Sequence, residues 1–95
     1  MLHRTLSKQI QQESGWILRY FLLKEQVRFD GLSVDSFGVE VVGERRGKTE
    51  AASAPYLTTR ASIAVKVLTE LASRGVKPDN LNAEAAEILT EVRKW

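Results

Sequence analysis

The chain has 95 residues, 14 basic and 12 acidic side chains for a net charge of +2, 43% hydrophobic residues, and only six glycines and two prolines. Those proportions exclude a disordered or low-complexity chain and predict one ordered domain around a single small core. The absence of cysteine excludes disulfides, thiolate metal sites and thiol nucleophiles, and the longest apolar runs, WIL and YFLL, fall far short of the ~20 residues of a membrane span.

The N-terminus also lacks the apolar central segment of a secretion signal, so the reading is of an unprocessed, soluble, cytoplasmic protein without membrane contact. Basic and acidic residues interleave along the chain. A duplex-binding surface gathers its Lys and Arg on one face, so the small positive excess does not by itself point to nucleic acid.

Residues 1–14 show no strong period. Leu2, Leu6 and Ile10 would form only a thin stripe amid polar residues, which predicts a flexible or weakly helical arm ahead of a single α+β domain over 15–95. From Trp16 the sequence WILRYFLLKEQVRF is dense in the β-branched and aromatic residues that favour strands. Its apolar residues fall on both parities, which predicts either two covered faces or a bulge near residues 24–26.

Asp30-Gly31 is a strong hairpin signal, because such a turn needs positive φ. Phe37, Val39 and Val41 alternate with Glu40 in the next strand. The polar turn 43–47 then leads into KTEAASA, small-sided as an edge strand can be. The segments together predict a three-stranded antiparallel meander.

From Thr59 the period becomes helical: Ile63, Val67 and Leu71 recur every four residues, widened by Ala64 and Leu68. Gly75 supplies a left-handed stop, with Val76 placed to touch Leu71. After VKPDN, the residues Leu81, Ala85, Ile88, Val92 and Trp95 form a narrow seam on a last helix, with Asp79, Asn80 and Asn82 as candidate caps. The expected fold is β-β-β-α-α, with both helices on one side of the sheet.

No residue set supports catalysis. His3 is the sole histidine and lies in the expected arm, where nothing fixes its geometry. Glu84, Glu87 and Glu91 share one helical face, opposite the apolar seam, and read as solvated charges. With no Cys and one His, no metal set is present, and no cofactor motif is found.

Three sets remain as binding candidates. Thr58 and Thr59 read first as helix caps; with Arg60 they also suit an anion at a helix start. Arg45, Arg46 and Lys48 form a basic turn diluted by Glu44 and Glu50. Trp16, Leu18 and Tyr20 would leave an apolar patch if their parity faced away from the helices, in which case a protein partner or a second copy should cover it.

The segments RYFLL, SFGVEVV and PYLTTRASIAVKVLTELASRGVKPDNL, in that order, resemble a family of short uncharacterised proteins of Firmicutes. The resemblance is carried by Tyr20 in a first strand, Phe37-Gly38, the helix start at Thr58-Thr59, and the link Val76, Pro78, Leu81, and it covers the chain from about Arg19 onward. It implies the same element order and a bacterial setting; this chain departs from the family in having Asn80 before that leucine.

The function expected from these readings is a non-catalytic module that binds or inhibits a larger cytoplasmic protein. Inhibitors carried by phage or other mobile elements, including those that block CRISPR nucleases, form one subclass of such proteins. The alternative is a small nucleic-acid-binding protein using Arg45, Arg46, Lys48 and Arg28, with Tyr20 or Trp16 stacking on bases.

Overall fold

A computed structural model describes residues 2–93; Trp95, expected in the seam of the last helix, lies outside them. Four strands come first: β1 (Leu2–Gln11), β2 (Ile17–Phe29), β3 (Leu32–Arg45) and β4 (Lys48–Thr58). Two helices follow, α1 (Ala61–Arg74) and α2 (Leu81–Arg93), joined through a short 3-10 turn at Pro78–Asn80. The sheet is an antiparallel meander in the order β1-β2-β3-β4. Among the described residues, no helix is long and apolar enough to cross a membrane.

The class is α+β as expected, but the sheet has four strands, not three. The extra strand is the N-terminal segment read from sequence as an arm. It pairs with β2 from Leu2↔Glu25 to Gln11↔Ile17, and its register shifts between Leu6 and Lys8. That bulge explains the misreading. Leu2 and Leu6 share one face of the sheet, whereas Ile10, beyond the shift, pairs with Leu18 on the other and packs on the core. A spacing of four thus imitates a weak helix stripe.

β2 itself contains no bulge. Its ladder with β3 runs unshifted from Ile17↔Glu44 to Phe29↔Leu32, so residues alternate strictly between the faces. Leu18 and Tyr20, with Val39 and Val41 from β3, lie under the helices and are fully buried. Val67, Leu68 and Leu71 of α1 and Leu81 and Ile88 of α2 close the same core. Each such side chain contributes about 1.5–3 kcal/mol through removal from water.

The turns obey their local chemistry. Asp30 and Gly31 both have positive φ, as a two-residue type I′ hairpin requires. The expected stop of α1 is present: Gly75 is left-handed (φ 62), its N–H donates to the Ala72 carbonyl, and the Val76 N–H donates to the Leu71 carbonyl, the paired bonds of a Schellman ending. The start of α1 differs from the expectation. Arg60 is the N-cap residue and makes no side-chain cap; Thr58 still belongs to β4, and its hydroxyl accepts the Arg60 N–H at 3.1 Å in a turn that bends strand into helix.

Tyr20 fastens the two layers together. Its buried hydroxyl donates to the Val76 carbonyl at 2.9 Å, tying the sheet to the link between the helices. Burial pushes the phenol up from 10.0 to about 12, because the charged phenolate is poorly solvated there. The stability that depends on the neutral phenol is therefore complete below pH 10 and is lost as pH rises toward 12. Tyr20→Phe should lower stability by about 1–2 kcal/mol at neutral pH, since the Val76 carbonyl loses its partner. The variant should also flatten the alkaline decline, and melts followed by circular dichroism across this range check both effects; equal declines in the two proteins would contradict the assignment.

Candidate functional site

With both helices on one face, the other face of the sheet is open. Register and parity place Leu2, Arg4 and Leu6 of β1, the residues Arg19, Phe21, Leu23, Glu25, Val27 and Phe29 of β2, and Leu32, Val34, Glu40, Val42 and Glu44 of β3 on it. Charge closes its middle. The Arg4 guanidinium lies 3.8 Å from the centre of the Phe21 ring and pairs with Glu40, and Arg19 holds Glu44 at 3.3 Å.

Among the described residues, nothing comparable covers the end built by β2 and β3. Their hairpin runs past both neighbours, since β1 pairs no farther than Glu25 and β4 no farther than Phe37. The projecting residues are amphipathic. Val27 pairs with Val34 and Phe29 with Leu32, all on the open face; Phe29 is 73% exposed and Leu32 69%. Gln26, Arg28, Ser33 and Asp35 take the opposite face.

A kink in β4 extends this apolar strip. The register with β3 shifts between Phe37 and Val39, and Gly38 is the device that allows it: a Cβ there would run into the Ala54 carbonyl oxygen and the Pro55 backbone. Tyr56, at positive φ (61°), lands against the open face and donates its hydroxyl to Glu25 at 2.6 Å. That hydrogen bond, and then the carboxylate charge, raise its pKa above the usual tyrosine value. The ring stays exposed beside the hairpin.

The sheet edges are less inviting. β1 carries its bulge and β4 carries Pro55 and its own irregularity, features that obstruct addition of another strand.

The residues singled out from sequence are distributed differently from their grouping there. Leu18 and Tyr20 are enclosed beneath the helices, so they offer no surface, and the parity that faces outward is the other one. Trp16 is only partly buried and sits at the end of the sheet away from the hairpin, together with Arg45, Arg46 and Lys48 around a cavity of about 240 Å³ also lined by Glu50. Thr58, Thr59 and Arg60 line a broader hollow at the start of α1 with Ser36, Tyr56 and Lys66. Glu84 and Glu91 are not plain solvated charges: Arg74 of α1 reaches both, at 3.1 and 3.4 Å, as well as Glu70 at 3.5 Å, pinning the helices together. Its hydrogen bond to Glu84 raises the Arg74 pKa, although partial burial opposes this.

Among the described residues, no three His, Cys, Asp or Glu side chains gather where a metal ion would fit. Over residues 1–91 the chain matches a family of unknown function, DUF6514. The chain belongs to the DUF6514 family. No curated protein and no solved structure matches it. The DUF6514 match begins at the N-terminus, not near Arg19, and so takes in β1, in keeping with that strand's place in the sheet.

Sequence reasoning missed Phe29, Leu32, Val27 and Val34 as surface residues of this DUF6514 protein. The signal was present in the Asp30-Gly31 turn: apolar residues on one parity close to a hairpin tip have no neighbouring strand to shelter them. Phe29→Thr and Leu32→Thr should each change stability by no more than about 0.5 kcal/mol, as exposed positions do, whereas Leu68→Ala should cost about 2–5 kcal/mol. Urea unfolding measures both, and a large loss from either threonine variant would mean that the hairpin tip is covered within the chain.

Proposed function

We propose that the protein is a non-catalytic binding module that docks another protein on the open sheet face, with the β2–β3 hairpin as its anchor. The observation that carries this reading is the exposed row of Val27, Phe29, Leu32 and Val34 on one side of a projecting hairpin. Water disfavours such a patch, and an aromatic side chain at its tip is the type of residue that dominates binding energy when it fills a pocket.

The projecting form favours a groove on a larger partner over a second flat copy of the same face. Inhibition, by occupying a cleft that the partner needs, is the activity such a wedge suits. A cytoplasmic, bacterial setting within Firmicutes accords with the cysteine-free composition and with the motif resemblance.

A second reading, nucleic-acid binding, draws support from the meeting of Trp16 with Arg45, Arg46 and Lys48. It loses two of its expected contributors: Tyr20 is enclosed, and Arg28 lies on the hairpin at the other end of the sheet. What is left among the described residues is a local cationic pocket without an extended basic track.

Affinity purification from the native host tests the docking reading. A protein that co-elutes with the wild type should disappear when Phe29→Thr and Leu32→Thr are combined, and persist with Arg45→Gln. Light scattering on the isolated chain should give a monomer. An unchanged set of co-eluting proteins with the double variant would remove the hairpin as the anchor, and a dimer abolished by the same double variant would replace the foreign partner with a second copy.

A further inference from the structure

The β3–β4 turn gathers three positive charges around a cavity that holds one carboxylate, Glu50. Arg46 (φ 51) and Gly47 (φ 78) form a two-residue turn with both centres at positive φ, so Arg45 and Lys48 become direct cross-strand partners. Like charges in that relation repel and destabilise the pair. Glu44 gives no relief, because Arg19 holds it on the opposite face of the sheet. Among the described residues, Arg45, Arg46 and Lys48 form no ion pair, and Glu50 is the carboxylate that shares their cavity.

The wall beside them is built with care for shape. Trp16 lies across Gly43, where a Cβ would come within 2.9 Å of the indole, and the same Cβ would meet Pro78 at 3.2 Å. The ring therefore has a fixed seat that a larger residue at position 43 would deny it. Cations approach it from two elements: the Arg45 guanidinium is 5.9 Å and the Lys77 ammonium 5.5 Å from the ring centre. The Arg45 Nε is buried and has no hydrogen-bond acceptor among the described residues, and a buried donor left without a partner is unfavourable.

We propose that this pocket binds a phosphate group, held by Arg45, Arg46 and Lys48 beside Trp16. A phosphate relieves the Arg45–Lys48 repulsion and supplies acceptors for an arginine fork, whose planar donors suit its geometry. The cavity of about 240 Å³ accommodates the phosphate with little of what carries it, so a small phosphate ester and one phosphate of a nucleic-acid strand share the recognised chemistry. The site lies at the end of the sheet away from the hairpin and does not depend on the docking proposal.

Nuclear magnetic resonance on the full chain tests it, following the Arg45 Nε–H and Trp16 indole N–H signals. Inorganic phosphate should shift both saturably, and sodium chloride at equal ionic strength should not. Lys48→Gln, an exposed change that leaves the fold intact, should weaken phosphate binding about tenfold, in line with loss of one charge-assisted contact, and Phe29→Thr should leave it unchanged. Thymidine monophosphate and a short oligothymidine then separate the sources: markedly tighter, salt-sensitive binding of the oligomer assigns the phosphate to a strand, and equal binding assigns it to a small ester. Shifts that do not saturate, that chloride reproduces, or that survive unaltered in Lys48→Gln with Arg45→Gln would overturn the proposal.

Discussion

The unshifted ladder between β2 and β3 is the constraint from which the molecule's two faces follow. All thirteen residues of β2 have a partner in β3, so one register decides which side chains lie under the helices and which lie on the other face. Slipping β2 by one residue against β3 would turn Leu18 and Tyr20 away from the helices and bring Arg19 and Phe21 under them, while Val39 and Val41 stayed in place. Arg19 would then be a charge in an apolar core. The register is thus enforced by the burial of one set and equally by the charge of the other.

Two glycines in β3 extend the consequences of that ladder to either end. Gly38 faces the open side and lets the kinked β4 backbone pass close by; Gly43 faces the helices and seats Trp16. Both leave a gap that other parts of the chain occupy, one by backbone and one by an indole. The open face is also graded. Arg4 over Phe21 with Glu40, and Arg19 with Glu44, cover its middle with ion pairs that cross strands, whereas toward the hairpin Lys24 and Asp35 pair on the reverse side and leave the apolar row uncovered.

Where structure is dictated locally, the sequence was legible. The period of α1, its Gly75 ending, the Asp30-Gly31 hairpin and the small-sided edge strand could each be read from a few consecutive residues. β1 could not, because an edge strand needs only one strand neighbour and tolerates polar residues on both faces, and its bulge spreads three apolar residues over two faces. Nor could the outward parity of β2: Leu18, Tyr20 and Leu22 compete evenly with Phe21, Leu23 and Val27 in hydrophobicity, and the decision lies in Arg19, Glu40 and the glycines of β3, which matter only once the register is known. The same register brings Trp16 to Arg45, two residues that appeared in separate candidate sets.

The size of the apolar row limits what can dock there. Full burial of Phe29 or Leu32 is worth about 1.5–3 kcal/mol each, while association forfeits at least about 4 kcal/mol of translational and rotational freedom, and more once side chains are ordered. The two tip residues alone therefore leave little surplus, so a stable complex must also cover Val27, Val34 and Tyr56 and reach toward Leu2 and Leu6. That sequence of contacts runs along the hairpin into the sheet, and it calls for an elongated cleft into which the hairpin lies lengthwise. The bulged edges discourage the competing arrangement, strand addition. The proposed docking through a face would also leave the β2–β3 ladder undisturbed, so a partner bound in that way would meet paired strands and avoid the cost of ordering them.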